Sequence, residues 1–399
     1  MNGLFVLLHQ RTMQISEIEV SIVMPCLNEA ETLPYCLEKA FTFLKNNHIS
    51  GEVLVVDNGS DDNSASIALS HGARVVKENM RGYGAAIMAG IRDANGKFII
   101  IGDADDSYDF SDIMPFVVHL RQGADLVIGN RFNGGIQKHA MPLLHRYVGN
   151  PILSFLGRIF FHIPINDFHC GLRGIRKESF DRLNLKTTGM EFASEMIVKA
   201  ALHNFTIKEC SIILYPDKRN RRSHLKTWQD GWRHLRFLLL YSPRWLFLIP
   251  GIALMLLGII GTIILAMGPI ELGNKKLDVH TLVYTSGFIL LGFQFISFYF
   301  FSRLYAAVHQ LWPGQERFLQ NFNTRFRLER GIMGGILLLI GGFILMIKSL
   351  LYWRNTHYGN IDPVVVLRWV IPSVVLLVLG VQLVISFFYL SFLTIKSKE

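Results

Sequence analysis

Apolar positions follow two regimes along this chain. From Glu19 to Val127 they come as short Val/Ile-rich runs separated by stretches of helical spacing: Val20 to Met24, Val53 to Val56, Arg74 to Lys77, Phe98 to Ile101 and Leu126 to Ile128. Strand and helix alternating in this way predict an α/β domain with a mainly parallel, doubly wound sheet. From Trp245 the apolar runs lengthen to Trp245 to Met267, Leu282 to Phe301, Ile332 to Leu351 and Val364 to Leu393. Runs of that length predict an α-helical membrane domain of four transmembrane helices, the last able to tilt or to kink at Pro372. Gly251-Ile252 to Gly258 and Gly335-Ile336 to Gly341 are faintly alike, as in a duplicated hairpin. The expected organisation is an extension over 1–17, the α/β domain over 18–217, a basic juxtamembrane amphipathic helix over 218–243 and the membrane domain over 244–399.

Ligands of such sheets sit beyond the carboxyl ends of the strands. Those ends are polar here: Pro25-Cys26-Leu27-Asn28-Glu29, Asp57-Asn58-Gly59-Ser60-Asp61, Asp103-Ala104-Asp105 and Gly129-Asn130-Arg131. At the fourth strand, the buried run Lys97 to Ile101 leads straight into Asp103, Asp105, Asp106 and Asp109. Extended backbone puts Asp103 and Asp105 on one side with the small Ala104 between them, which suits a divalent cation whose other ligands are phosphate oxygens and water. An EF-hand is excluded, because Tyr108 and Met114 stand where Gly and Glu are needed. The alternative is a polar loop capping the next helix through Ser111 or Asp112. Asp57 is placed to accept hydrogen bonds from a base or ribose, Asn58-Gly59 reads equally as a turn, and Asn28-Glu29 as a cap for the helix after Glu31. Arg131 beside a metal site reads as a diphosphate clamp. Arg81-Gly82-Tyr83-Gly84 opens a helix through Ala94 that could offer amides to an anion. Ile87 replaces the third glycine of a dinucleotide fingerprint, and no Walker loop occurs.

Composition separates the two halves chemically. Half of the 399 residues are hydrophobic, too many for an ordinary soluble enzyme. Forty Lys plus Arg against 31 Asp plus Glu give +9, which suits anionic membrane lipids or phosphate-bearing substrates. No nucleic-acid module is recognisable. Cys26, Cys36, Cys170 and Cys210 lack metal spacing and all precede the lipid-soluble half, as in a reduced cytosolic domain. Met1 to Gln14 holds only the short apolar run Leu4 to Leu8, so no signal peptide is expected. The 303–330 loop carries Arg303, Arg317, Arg325, Arg327 and Arg330, while the outer loops carry Lys275, Lys276 and Arg354. The expected protein is therefore integral to the cell membrane, with catalytic domain and both termini cytosolic.

Taken in order, Ser21 to Glu29, Val55 to Ser60, Asp103 to Asp105 and Ile128 to Phe132 resemble glycosyltransferase family 2, and within it the dolichol-phosphate mannose synthase group with its bacterial polyprenyl-phosphate glycosyltransferase relatives. The resemblance covers about residues 18 to 240 and implies a GT-A fold. It implies that Pro25, Leu27, Glu29, Val56 and Asp57 hold the nucleotide, that Asp103 and Asp105 bind Mg2+ or Mn2+ with Ala104 completing the donor site, and that Arg131 faces phosphate. A Gln that often follows the two aspartates is Ser107 here.

Leu143, Leu144, Tyr147, Val148, Ile152, Phe155, Leu156, Ile159 and Phe160 share one helical stripe, with Arg146, Asn150, Ser154 and Arg158 opposite. Such a helix reads as interfacial or as buried in the soluble core, and Pro151 would bend it. The resemblance implies that Arg146 and Asn150 meet the lipid phosphate. It also implies that Asp167, in the turn Asn166 to Arg173, acts at the acceptor as the catalytic residue. Glu191 and Glu195 either shape the sugar pocket or are solvated. In the basic run Lys218 to Lys226, the family's Ser-Lys-Leu reads Ser223-His224-Leu225. Arg219 and His224 are expected at the donor phosphates, and Arg222 and Lys226 at the acceptor phosphate. Trp228, Trp232, Leu235 and Leu239 then keep helical spacing, as interfacial anchors do.

The activity implied is inverting transfer of one hexose, glucose or mannose foremost, from a UDP- or GDP-linked donor to a polyprenyl phosphate on the cytosolic face, by a chain that is free to form a homo-oligomer. A processive synthase is disfavoured because the Gln229 to Arg233 segment reverses that group's motif. A non-catalytic membrane scaffold is disfavoured by the intact Asp57, Asp103, Asp105 and Arg131.

Overall fold

The computed structural model describes residues 18–218, 227–309, 311–312, 318–319, 321–322 and 327–395. The chain forms two compact units that divide between Tyr241 and Ser242. In the first, β1 (Val20–Cys26), β2 (Gly51–Asp57), β3 (Arg74–Lys77), β4 (Phe98–Ile101), β5 (Leu126–Asn130), β6 (Arg173–Arg176) and β7 (Ile207–Ser211) make a sheet in the order β3-β2-β1-β4-β6-β5-β7. Every neighbouring pair is parallel except those of β6, which runs antiparallel between β4 and β5. This is the mainly parallel arrangement expected from the pattern and the GT-A type that the resemblance implies, with β6 and β7 added. The β6 sequence Arg-Gly-Ile-Arg has a single large apolar residue, too little to register as a strand.

The direction of β6 decides where the site lies. Arg173, its first residue, is in register with Ile101 near the end of β4 and Ile128 near the end of β5. The turn that precedes it therefore sits at the same sheet edge as the ends of those two strands. Ile22, Val23, Val55, Ile100 and Val127 are fully buried, as the continuous apolar runs of a sheet covered on both faces require. Helices α1 (Leu33–Asn46), α2 (Ser64–Ser70), α3 (Tyr83–Asp93), α4 (Met114–Arg121), the single turn α5 (Arg131–Gly134), α6 (Asn150–Phe161), α7 (Lys177–Leu183), α8 (Phe192–Leu202) and α9 (Thr227–Leu240) complete the unit. Gly90 lets α3 settle on β1 and β2, since a Cβ there would come within 2.5 Å of Val23 Cγ1 and 2.6 Å of Val56 Cγ2.

The stripe from Leu143 to Phe160 lies on one continuous helical run, 143–161, with a π-turn inside it. A wide π-turn, His145–Gly149, leads into α6 immediately before Pro151, where the proline lacks the N–H that a regular helix would use. Ser154, read as part of the outer polar side, is buried and accepts from the Phe168 N–H at 3.2 Å, while Leu143, Tyr147, Ile152 and Phe155 are exposed. Core burial therefore does not account for this apolar face. Leu153 of α6, Val198 of α8 and Phe237 and Leu238 of α9 form a small core of their own, leaving Trp228 and Trp232 exposed.

Among its described residues, the second unit holds four helices long and apolar enough to cross a membrane: Arg244–Met267, Val279–Val308, Leu328–Asn355 and Pro363–Thr394, the last continuing through Pro372. A short hairpin, Ile270–Leu272 with Lys275–Leu277, joins the first two. Glycines close both helix pairs. Gly251 and Gly258 lie against Phe295 and Ile289, Gly335 and Gly342 against Val384 and Leu377. The repeated pair in the second hairpin is thus Gly335 and Gly342 rather than Gly335 and Gly341, which restores the spacing of the first. Small residues are what allow helices to approach closely in lipid. At one end of this bundle Arg368 donates to Asp278 at 2.6 Å, adding a basic residue that the count of outer-loop charges omitted.

Gly90→Leu should destabilise the protein by about 1–3 kcal/mol through overpacking between α3 and the sheet. Thermal unfolding of the full chain in detergent checks this, and an unchanged midpoint would contradict the packing described.

Candidate active site

The first two strand ends are clasped together. Pro25 and Cys26 lie in register with Val56 and Asp57, which brings Pro25, Leu27, Val56 and Asp57 to one edge. Asn28 takes a left-handed conformation (φ 59°), accepts from the Asp61 N–H at 2.7 Å and has its own N–H on Ser60 Oγ at 3.0 Å. Glu29 is buried, with its N–H on Ser64 Oγ and its carboxylate accepting from Thr32. Asn28-Glu29 thus joins two loops instead of capping α1 through a side chain. Asp57 Oδ1 accepts from the Ser60 N–H at 2.9 Å. Asn58, read as a turn, is a staple: its side chain donates to the carbonyls of Glu78 and Met80 and accepts from the Gly82 N–H. The Ala85 N–H donates to the Thr188 carbonyl. With two amides at the start of α3 already engaged, that turn is not the open anion cradle expected from Arg81 to Gly84.

Of the four aspartates after β4, two are structural. Asp106 is buried between Lys39 and Lys218, at 2.7 and 2.6 Å, and Asp109 accepts from Ser111 as the cap of the one-turn 3-10 helix Phe110–Asp112. The capping alternative was right about this loop but not about the residue. Asp105 is also buried, its Oδ1 accepting from the Ser107 N–H at 3.1 Å and hydroxyl at 2.5 Å. Ser107 therefore orients Asp105. The Ala104 carbonyl accepts from Thr32 at 2.7 Å. Asp103 is half-buried, and its charge acts on the Tyr83 phenol. Burial, and then the nearby Asp103 charge, push the Tyr83 phenol well above its ordinary pKa.

Facing Asp103 is the turn that enters β6. A Cβ on Gly171 would lie 2.5 Å from Asp103 Oδ2, so glycine there leaves free the space beside the carboxylate. The Gly171 N–H donates to the Tyr108 hydroxyl at 2.9 Å. Arg173, itself buried, donates to the carbonyls of Phe168, Cys170 and Ala193 and so moulds the turn onto the start of α8.

Asp167 and Arg131, expected at acceptor and donor respectively, are each other's partners. Arg131 Nε and Nη2 donate to the two Asp167 oxygens at 2.6 and 2.7 Å, and the Arg131 N–H adds a bond of 3.2 Å. Asp167 is fully buried and Arg131 nearly so. Burial opposes the guanidinium charge, but the Asp167 carboxylate outweighs it and holds the pKa of Arg131 well above the ordinary range. Glu209 on β7, unnoticed in the sequence, accepts the N–H groups of Asn166 and Asp167 at 2.7 and 3.1 Å and fixes the approach of the acid. Nothing in the spacing of Glu209 marks that role, because its partners come from a distant segment.

Arg146 stacks over Tyr147 at 5.5 Å, and the Asn150 amide meets Met141 Sδ at 3.6 Å. Among the described residues, no hydrogen bond joins either to the aspartates. Glu195 is not a pocket acid: it pairs with Lys199 at 2.8 Å and accepts from Lys186 and Thr187. Lys218, which starts the basic run, reaches Asp106. Arg219, Arg222, His224 and Lys226 lie outside the described residues.

Residues 21–183 match glycosyl transferase family 2, and residues 300–394 match the glycosyltransferase family 2 C-terminal transmembrane region. The chain is 34% identical over 372 residues to the low-salt glycan biosynthesis hexosyltransferase Agl6 of Haloferax volcanii, covering 93% of this chain and 88% of that protein. It is 28% identical over 195 residues to a dolichyl-phosphate hexose transferase of the same organism, covering 49% of this chain and 82% of that protein. A similar solved structure is glucosyl-3-phosphoglycerate synthase from Mycobacterium tuberculosis in complex with Mn2+ and UDP-glucose, with a TM-score of 0.44, 18% identity, and coverage of 56% of this chain and 79% of that one.

Removing one partner of a buried ion pair strands the other, at about 3–5 kcal/mol, whereas removing both is far milder. Arg131→Met and Asp167→Leu should each lower the unfolding midpoint strongly, and the double variant should recover much of the loss. Additive losses would show that the two do not act as a pair.

Proposed function

The chain belongs to glycosyl transferase family 2, and from that premise we propose that it transfers one hexose from a nucleotide diphosphate sugar to a polyprenyl phosphate at the cytosolic face of the cell membrane, with inversion. The observation that carries this reading is the convergence on one sheet edge of Asp103 and Asp105, the Asp57 loop and the buried Arg131–Asp167 pair. A nucleotide held by Pro25, Leu27, Glu29, Val56 and Asp57 would place its diphosphate at the exit of β4, beside Ala104.

The donor set there fits a hard divalent cation. Asp103 and Asp105 supply oxygen only, Gly171 keeps space beside Asp103 Oδ2, and among the described residues no group of three His, Cys, Asp or Glu side chains is arranged to hold a metal. Two carboxylates with phosphate oxygens and water completing the shell suit Mg2+ or Mn2+. Bound there, the ion would offset the charge that develops on the leaving diphosphate.

A phosphate monoester loses its second proton near pH 6, so the acceptor is largely a dianion at neutral pH and is already nucleophilic. Asp167, with both oxygens held by Arg131, serves to set the turn and the guanidinium rather than to take a proton. In this reading Arg131 faces phosphate with the side of its fork that Asp167 leaves unused. Arg219 and His224 assist at the donor, and Arg146, Asn150, Arg222 and Lys226 at the lipid phosphate. The exposed apolar face of α6 with Trp228 and Trp232 provides the interfacial surface from which a lipid acceptor would enter. The name of the dolichyl-phosphate relative supports the acceptor class.

Membranes given radiolabelled UDP- and GDP-hexoses with polyprenyl phosphate should yield a labelled monosaccharyl lipid. Asp105→Ala or EDTA should abolish it; undiminished activity in chelator rules out the metal role. Labelled long polymer would favour a synthase.

Orientation is tested separately. All four native cysteines are free and buried, and burial pushes the thiols of Cys26 to about 11 and Cys170 to about 12, so their background labelling should be low. Asn360→Cys, in the loop between the last two spans, should label readily with an impermeant thiol reagent in intact cells. Resistance would reverse the topology and remove the cytosolic donor.

A further inference from the structure

His169 stands in the turn between Asp167 and Gly171, and both of its ring nitrogens are buried with no hydrogen-bond partner among the described residues. The backbone on either side of it is held, since Arg173 takes the Phe168 and Cys170 carbonyls at 2.9 and 2.8 Å. Its ring meets that of His234 on α9 edge-on, with centroids 4.4 Å apart, and His234 Nδ1 is in turn held by Ser194 Oγ at 2.8 Å. The imidazole is thus fixed in place while its own donor and acceptor go unused. Buried polar atoms are ordinarily satisfied, so an imidazole with both nitrogens unpaired calls for an explanation of its own.

The charge state narrows the ligand. Burial first, then His234, Arg131, Arg173 and His145, hold the His169 pKa well below its usual value. Burial likewise pushes His234 down to about 4, against the opposing pull of Asp230. A neutral imidazole offers one N–H donor and one bare nitrogen acceptor. A phosphate dianion only accepts and can meet the N–H alone, whereas a hydroxyl can meet either nitrogen, as acceptor at the one or donor at the other. Sheet order says which hydroxyl. In β3-β2-β1-β4-β6-β5-β7 the nucleotide residues lie on β1 and β2 and the diphosphate aspartates after β4, so the group beyond the diphosphate lies at the turn entering β6. In a nucleotide sugar that group is the hexose. Glu191 Oε2, two residues before the Ala193 carbonyl that Arg173 holds, is likewise buried with no partner among the described residues.

We propose that His169 hydrogen-bonds a hydroxyl of the transferred hexose and is a specificity-determining residue for the donor sugar. This rests on the transferase reading above. The test measures kcat/KM of the full-length protein in detergent with polyprenyl phosphate, for the parent, His169→Leu and His169→Gln. The donors are UDP-glucose, GDP-mannose and monodeoxy analogues of whichever is productive. In the parent, one analogue should fall by about 10- to 100-fold relative to the intact sugar, the loss expected when a buried polar partner is left unpaired. In His169→Leu that particular penalty should vanish while those of the other analogues persist, and His169→Gln, which keeps a donor and an acceptor, should restore part of it. Without ligand, His169→Leu should melt no lower than the parent, since it removes two orphaned polar atoms. Identical penalties in parent and variant for every analogue, or a lowered melting point showing that His169 is structural, would overturn the proposal. If the parent transfers neither hexose, the transferase reading falls first and this proposal with it. Turnover by the parent without that coupling overturns the role of His169 alone.

Discussion

The buried ion pair between Arg131 and Asp167 is the constraint on which the β5–β6 half of this edge depends. Arg131 leaves the end of β5, and Asp167 sits in the turn that enters β6, so the two-pronged contact ties together segments with no local reason to meet. Glu209 on β7 holds the backbone of the same turn, and Arg173 closes it from within. Charge this deeply buried is tolerated because each group satisfies the other, and the geometry is correspondingly stiff. Gly171 then presents its backbone to Asp103 at a distance that only a residue without Cβ permits.

The carboxylates after β4 show how one acidic stretch is divided between structure and chemistry. Two lysines neutralise Asp106, a cap absorbs Asp109, and Ser107 steers Asp105. Sequence spacing alone does not distinguish these roles, since all four residues lie within a few positions of each other. The distinction arises because Lys39 comes from α1 and Lys218 from the far end of the unit, and each is drawn to the carboxylate that the backbone turns toward it.

The membrane unit follows a different physics. With no water to expel from between helices, packing rests on close approach, and both helix pairs meet through glycines. Thr262 bonds Thr285 at 3.1 Å in the first pair, and Ser373 donates to the Gly342 carbonyl at 2.7 Å in the second. The likeness of the two hairpins therefore lies in backbone contact as well as in composition.

Much of the architecture was legible in the sequence because it is written in local periodicity. Five Val/Ile-rich runs marked β1 to β5, four long apolar runs marked the spans, and a buried run ending in Asp-Ala-Asp marked the metal candidates. These features depend on near neighbours alone, as do the polar strand ends that β1 and β2 bring side by side. What tertiary structure decided depends on residues far apart in the chain. It set the reversed direction of β6, the marriage of Arg131 to Asp167 and the outward turn of the α6 apolar face. It also decided that both ring nitrogens of His169 are buried with no hydrogen-bond partner among the described residues. A pattern can say that a residue is polar and near a strand end. Only packing decides whether a partner from another segment has already claimed it.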